Sequence, residues 1–158
     1  FFLLSLIFCR NICGVCFARF KSAESNSHLK LFRDVAKISC DIILDDKETI
    51  SLSRFFFIAG MIHQFEGGGF MFCPNADSHD GIMDICAVGD ISKWLILFAL
   101  PTAFVGKHYR FNGINRYSAK KISLKTSAPL WVHTDGEVAG ASSDIEVGVL
   151  PGKLNLLI

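Results

Sequence analysis

Three short runs near the end of the chain have the length and pattern of β-strands: "AKKISLKTS" (Ala119–Ser127), "PLWVHTDGE" (Pro129–Glu137) and "DIEVGVL" (Asp144–Leu150). From residue 121 to residue 125, lysine and serine alternate with isoleucine and leucine. Successive side chains of a strand point to opposite faces, so this alternation indicates one solvent-facing and one buried face. Turn-forming residues separate the runs, and we therefore expect several short strands.

Earlier segments continue this pattern. In "LFRDVAKISCDIILDDKETISLSRFFFIAG" (Leu31–Gly60), the tripeptide Asp45-Asp46-Lys47 joins two strand-like runs, which is a hairpin signal. A further run, "GIMDICAVGD" (Gly81–Asp90), predicts a strand that ends at Gly89. No internal repeat interrupts this series of short strands.

One segment has the length and spacing of a helix: "KWLILFALPTAFVGKH" (Lys93–His108). Ser92 is its predicted N-cap, Pro101 is expected to bend or interrupt it, and Gly106 is expected to end it. Several strands combined with one clear helix predict a mainly β (α+β) fold. We expect a β-sandwich-like domain with one or two helices.

The composition is that of one core-rich domain. Of the 158 residues, 51% are hydrophobic and 20% are charged. We therefore expect some apolar surface to meet another domain, a lipid or a partner. The net charge of +1 gives no reason to expect nucleic-acid binding. Six cysteines do not make a disulfide scaffold in a chain of this length, and reduced, buried thiols in a cytoplasmic protein are the expected state.

Residues 1–28 are treated as a separate N-terminal segment. The apolar run before Arg10 is nine residues long, too short to span a bilayer core of about 30 Å, and a buried amphipathic helix is expected there. Cys9, Cys13 and Cys16 have the spacing of the cluster-binding motif of radical S-adenosylmethionine enzymes. The short strands that follow do not suit such an enzyme, so buried cysteines are the favoured interpretation.

The loop "PNADSHDGIMD" (Pro74–Asp84) is rich in oxygen donors. Mg²⁺ and Ca²⁺ prefer carboxylates, backbone carbonyls and water. Because Asp77 and Asp80 are three residues apart in a glycine-containing loop, one carboxylate and one or two carbonyls could converge on an ion. The alternative is an Asx-rich turn, in which the same side chains bond to nearby backbone N–H groups. The residues alone leave both interpretations open.

A second candidate lies in the Asp-Gly-Glu triplet that ends the run Pro129–Glu137. Asp135-Gly136 is itself a hairpin signal. In a continuing strand, His133, Asp135 and Glu137 would share one face. Just beyond the turn, Glu137 is expected to present an exposed carboxylate that can accept a proton; the alternative is a solvated hairpin tip.

Four blocks, in their order and spacing, resemble the C-terminal domain of bacterial diacylglycerol kinase-type lipid kinases. These blocks are "EGGGFMFCPNADSHDGIMDICAVGDIS" (66–92), "LPTAFVGKH" (100–108), "APLWVHTDGEVAG" (128–140) and "IEVGVLPGKLNLLI" (145–158). The resemblance covers residues 29–158. It implies the C-terminal, β-rich half of an enzyme whose N-terminal domain carries a Gly-Gly-Asp-Gly-Thr nucleotide loop.

The resemblance also implies a reaction and site residues. ATP is expected in the cleft between the two domains, where the hydroxyl of a lipid, with diacylglycerol as the expected substrate, attacks the γ-phosphate. A largely structural Mg²⁺ would be bound by the carboxylate of Asp80 and the backbone carbonyls of Asp77 and Ile82. Glu137 would accept the proton of the hydroxyl.

No Gly-Gly-Asp-Gly-Thr loop occurs in the 158 residues. We therefore expect this chain alone to be inactive and to need the missing nucleotide-binding domain. The alternative is a non-catalytic binding or structural module derived from such a kinase. A peripheral membrane surface and a homodimer are further expected partners, and the expected location is the cytoplasm.

Overall fold

The structure is a computed structural model that describes residues 38–66, 69–134 and 137–151, together with the backbone of residues 6–8. Its elements follow in chain order. They are β1 (Leu6–Phe8), β2 (Cys40–Leu44), β3 (Glu48–Leu52), β4 (Phe55–Met61), β5 (Met83–Gly89), helix α1 (Lys93–Ala103), a 3-10 helix (His108–Arg110), β6 (Ile114–Ala119), β7 (Lys121–Thr134) and β8 (Glu137–Gly148).

Strand β7 joins two antiparallel sheets. Its first part pairs with β2 through residues 122–126, and its last part pairs with β1 through Trp131 and Val132. β3 extends the first sheet, while β4, β5 and β6 extend the second, giving the order β3-β2-β7-β1-β4-β5-β6. β8 pairs with β7 from Lys121 to Thr134. The predicted mainly β, sandwich-like fold is confirmed.

Two apolar clusters hold the layers together. The first lies between the two sheets and includes Ile42, Phe55, Ile85 and Leu124. The second lies between the other face of β4 and β5 and helix α1. Every residue of β5 is buried, because its two faces pack against different clusters. Such a strand shows a continuous apolar run instead of alternation.

The predicted hairpin turn and N-cap are confirmed, whereas the predicted end of the helix is not. In the three-residue loop between Leu44 and Glu48, Asp45 and Asp46 have φ values of 49° and 56°, in the left-handed region that aspartate tolerates. Ser92 caps α1, since its Oγ accepts a hydrogen bond from the backbone N–H of Leu95 at 3.2 Å. Pro101 lies in the last turn of the helix without interrupting it, and the helix ends at Ala103, before Gly106.

Two predictions need correction. The runs Ala119–Ser127 and Pro129–Glu137 were expected as separate strands, but residues 121–134 form one strand with a register shift between Lys125 and Leu130. That shift accommodates Pro129, which has no N–H to donate. Within residues 1–28 a helix was expected, whereas residues 6–8 form β1, because their backbone fills the gap between β4 and β7. The rest of that segment, including Cys9, Cys13 and Cys16, lies outside the described residues.

Candidate functional site

The loop that precedes β5 is shaped by two consecutive Asx turns. Asp77 Oδ1 accepts a hydrogen bond from the backbone N–H of His79 at 2.9 Å. Asp80 Oδ1 accepts one from the backbone N–H of Ile82 at 2.8 Å. Gly81 lies inside the second turn, between Asp80 and Ile82, with a φ of 71°, a value that glycine adopts at no steric cost. The Asx-turn interpretation is therefore correct for one oxygen of each carboxylate.

Asp77 is also in contact with the side chain of His79. The imidazole Nδ1 lies 3.2 Å from Asp77 Oδ1. The backbone N–H of His79 is the main cause that lowers the pKa of Asp77, and the imidazole contact acts in the same direction. Both side chains are exposed to solvent, so this pair fixes the shape of the loop without burying a charge.

The metal site predicted at this loop would contain few carboxylates. Within residues 38–66, 69–134 and 137–151, no group of three or more His, Cys, Asp or Glu side chains is placed to bind a metal ion. The predicted Mg²⁺ ligands are one carboxylate and two backbone carbonyls. They are therefore not a group of three side chains of this kind. Asp80 is exposed and uses Oδ1 in the turn, so its second oxygen remains available in the donor chemistry that Mg²⁺ prefers.

Arg116 on β6 ties this loop to the sheet. In the amide orientation that satisfies both groups, the side-chain oxygen of Asn75 accepts hydrogen bonds from Arg116 Nη1 at 2.5 Å and Nη2 at 3.3 Å. The same guanidinium lies 3.6 Å from Asp84 Oδ1, and Ser118 donates a hydrogen bond to that oxygen. Asp84 is only 7% exposed. It therefore anchors the loop from inside, and the sequence contained no signal for its pairing with Arg116.

A buried polar cluster lies behind the start of the loop. Tyr109 donates a hydrogen bond to the carbonyl of Phe72 at 2.6 Å. His108 Nε2 lies 3.2 Å from that carbonyl and 3.7 Å from Cys86 Sγ. Burial lowers the pKa of His108 and raises that of Cys86 to about 12. These groups are neutral near pH 7 and hold the backbone at Phe72 in place; Cys40, Cys73 and Cys86 are reduced and buried, as predicted.

Glu137 begins β8 and is exposed. Its partner across the hairpin is Thr134, while His133 pairs with Val138. Directly opposed residues of an antiparallel pair share a face, so Glu137 lies on the face of Thr134 and opposite to that of His133. A common face of His133 and Glu137 was expected only if the strand continued, and that condition is not met because the chain turns between them. The predicted hairpin and exposed carboxylate are confirmed.

The Glu137 hairpin and the Asp80 loop lie at the same end of the strands, which is called the edge of the sheet here. β1 is antiparallel to both β4 and β7, so the C-terminal ends of β4 and β7 lie at one edge. The first residues of β5 pair with the last of β4, as in Asp84 with Met61. The loop before β5 and the hairpin after β7 therefore share that edge. They are separated by three strand spacings, or about 14 Å across the sheet.

A shallow depression that is open to solvent lies beside the Asp80 loop. Its lining includes His63, Phe65, Asn75, Asp77 and His79. The segment around Phe65 follows β4, and the other side of the depression is the loop itself. The surface next to the proposed metal ligands is therefore accessible.

Comparison with known proteins agrees with this fold, which is that of the C-terminal domain of diacylglycerol and lipid kinases. The chain belongs to the family described as the YegS C-terminal NAD kinase beta sandwich-like domain, whose model matches residues 20–158. The match begins nine residues before the predicted boundary at residue 29 (29 − 20 = 9).

Similar proteins carry kinase names. The chain is 32% identical over 91 residues to a protein named "Diacylglycerol kinase" from Mycobacterium tuberculosis, covering 58% of the chain and 29% of that protein. It is 30% identical over 100 residues to the "Putative lipid kinase YtlR" of Bacillus subtilis, covering 61% and 31%. The matched part of the chain therefore covers about a third of the length of these relatives.

Solved structures share the fold. A putative diacylglycerol kinase from Bacillus anthracis str. Sterne superimposes with a TM-score of 0.63 at 22% identity, covering 96% of this chain and 51% of that one. Another crystal structure with the same description gives a TM-score of 0.61 at 20% identity, with the same coverage. At these identities the likeness concerns the fold alone.

Proposed function

We propose that the chain is the C-terminal part of an ATP-dependent lipid kinase that transfers the γ-phosphate of ATP to a lipid hydroxyl, with diacylglycerol as the expected substrate. The observation that carries the proposal is the common sheet edge of the Glu137 hairpin and the Asp80 loop. Membership of the family and the kinase names of its relatives support the same assignment.

In this proposal Glu137 accepts the proton of the lipid hydroxyl. The hydroxyl oxygen forms a bond to the γ-phosphorus as the bond to the β,γ-bridging oxygen breaks, and ADP leaves. Phosphoryl transfer depends mainly on positioning and charge neutralisation, with a carboxylate to orient the nucleophile and take its proton. The exposure of Glu137 suits this role, because the carboxylate is accessible to a substrate that approaches from the edge of the sheet.

Asp80, with the carbonyls of Asp77 and Ile82, would hold the Mg²⁺. The ion would be largely structural and would add rigidity to the loop. A separate nucleotide-binding domain would cover the edge from the other side and contribute most contacts to ATP. The use of ATP makes the cytoplasm the expected location of the reaction.

The test is a lipid phosphorylation assay with labelled ATP and a panel of lipids that contain free hydroxyls. It compares this chain alone with the same chain joined to a nucleotide-binding domain from its parent protein. We expect no turnover from the chain alone, and turnover from the two-domain protein that falls about 100-fold or more in Glu137→Gln. Glu48→Gln is the matched control, since Glu48 is also an exposed glutamate that begins a strand after a hairpin turn.

Three outcomes contradict the proposal in different ways. Phosphorylation by the chain alone would show that the second domain is not required. Unchanged turnover in Glu137→Gln would remove this residue from the reaction. Absence of turnover from the two-domain protein on every lipid of the panel would favour the alternative, a non-catalytic binding module.

A further inference from the structure

Helix α1 is apolar on both of its faces. Leu95, Ile96, Ala99 and Ala103 pack against the second core cluster. On the opposite side, Trp94 is 75% exposed, Leu97 50% and Phe98 69%. These outward residues, followed by the exposed Pro101, recur at the three- and four-residue spacing of a helix face. A surface helix normally carries polar residues at such positions. Among the residues that the structure describes, this apolar face is left exposed.

The apolar surface continues beyond the end of the helix. Phe104 is 48% exposed and Val105 is 59% exposed. Phe104 stacks on Phe70 with ring centroids 4.2 Å apart, which fixes its position beside the helix. Trp94, Leu97, Phe98, Phe104 and Val105 are called the α1 patch below. Contiguous exposed apolar surface of this kind marks an interaction site.

The charged residues of the segment that carries the α1 patch are of one sign. Residues 91–111 contain the cations Lys93, Lys107 and Arg110 and no aspartate or glutamate. The carboxylate that precedes this segment in the chain, Asp90, accepts hydrogen bonds from Ser53 Oγ and the Arg54 backbone N–H, both at 2.9 Å. Apolar residues with an exposed tryptophan and flanking cations suit the interface of a bilayer that contains anionic lipid.

We propose that the α1 patch docks the domain on the surface of an anionic membrane, with Trp94 and Phe98 inserted among the lipid headgroups and Lys107 and Arg110 next to the phosphates. The helix has 11 residues, and in the part of the chain that the structure describes no helix is long and apolar enough to cross a membrane. It would therefore lie in the plane of the interface. This inference goes beyond phosphoryl transfer, because it assigns a membrane-binding surface and a preference for anionic lipids.

The test is co-sedimentation of the 158-residue chain with vesicles, without ATP, so that its result is independent of kinase activity. Vesicles contain either phosphatidylcholine alone or equal amounts of phosphatidylcholine and phosphatidylglycerol. We expect binding only with phosphatidylglycerol. Trp94→Ser combined with Phe98→Ser should weaken this binding about 100-fold, and Lys107→Ala combined with Arg110→Ala about 30-fold.

Matched variants separate docking from general effects of mutation. Trp94→Phe with Phe98→Leu keeps the apolar contact and should bind within about 5-fold of the original chain. Lys47→Ala with Lys125→Ala removes the same number of exposed cations from other elements and should bind nearly normally. In a Trp131→Phe background Trp94 is the remaining tryptophan of two, and its fluorescence should shift to the blue when phosphatidylglycerol vesicles are added.

Three results would overturn the inference. Equal binding to both vesicle types, or binding that the Trp94 and Phe98 serine variant leaves unchanged, would exclude this surface as the docking site. Light scattering that shows a dimer of the original chain and a monomer of the serine variant would identify a second copy of the chain as the partner.

Discussion

Replacing Arg116 by methionine removes the cation next to a carboxylate that is nearly enclosed by protein. The side chain of Asp84 is 9% exposed and that of Arg116 37% exposed. Loss of one partner of a fully buried pair costs about 3–5 kcal/mol, because the other charge stays buried without compensation. Since water still reaches Arg116, we discount this range and expect a loss of about 2 kcal/mol in the free energy of unfolding. Ser118 continues to donate its hydrogen bond to Asp84.

The assay is urea unfolding followed by circular dichroism, with Arg54→Met as the matched control. Arg54 forms an ion pair with Asp90 at 3.9 Å, with both side chains substantially exposed. Its replacement should cost less than about 0.5 kcal/mol. A double-mutant cycle with Asp84→Asn isolates the pair, and we expect Arg116→Met to cost much less in that background.

A loss below about 0.5 kcal/mol for Arg116→Met, or equal losses with and without Asp84→Asn, would refute this reasoning. The first result would mean that the pair is solvated despite the enclosure of Asp84. The second would mean that Arg116 stabilises the domain through its contact with Asn75 or through packing of its aliphatic part.

The remaining predictions concern the metal loop and the buried histidine. Asp80→Ala should lower the melting temperature more in Mg²⁺ than in chelator, because an ion that binds only the folded state stabilises it; equal losses in both would discredit the site. Burial lowers the folded-state pKa of His108 below 6.5, so the unfolded state binds more protons at mildly acidic pH. The stability due to the neutral imidazole is complete above pH 6.5 and is lost as the pH falls toward the folded-state pKa, by at most about 1.4 kcal/mol per pH unit. His108→Asn should flatten this pH dependence in urea unfolding, while His79→Gln, which changes an exposed histidine, should keep it. An unchanged slope in His108→Asn would assign the acid sensitivity to other groups.

The features that the sequence predicted correctly depend on interactions within a few residues. The hairpin at Asp45-Asp46 follows from the tolerance of these residues for positive φ. The start of α1 follows from the Ser92 side chain, which bonds to a backbone N–H three residues later. The strand Met83–Gly89 follows from an apolar run of suitable length. In each case the determining groups are neighbours in the chain.

The sequence selected candidate site residues, which remain predictions, but it did not indicate the contacts that support them. Four ordered blocks were enough to select the Asp80 loop and Glu137 as candidates. The face on which Glu137 lies depends on the register of β7 with β8, and a single-residue difference in register exchanges the two faces of a strand. The anchoring of the loop by Arg116 joins residues more than thirty positions apart, and no pattern in the sequence reports such a pairing.

Composition and local pattern alone were sufficient to specify a β-rich domain with one apolar helix and an oxygen-rich loop, because strand, turn and cap preferences are short-range. The sequence also shows that α1 is apolar all round, but only its packing on the second core cluster shows that Trp94, Leu97 and Phe98 remain outside. The position of the Asp80 loop and the Glu137 hairpin at the same end of the sheet likewise depends on the pairing of β7, β1, β4 and β5. Contacts between distant segments are selected by the burial of the whole core, and that selection is a property of the folded chain.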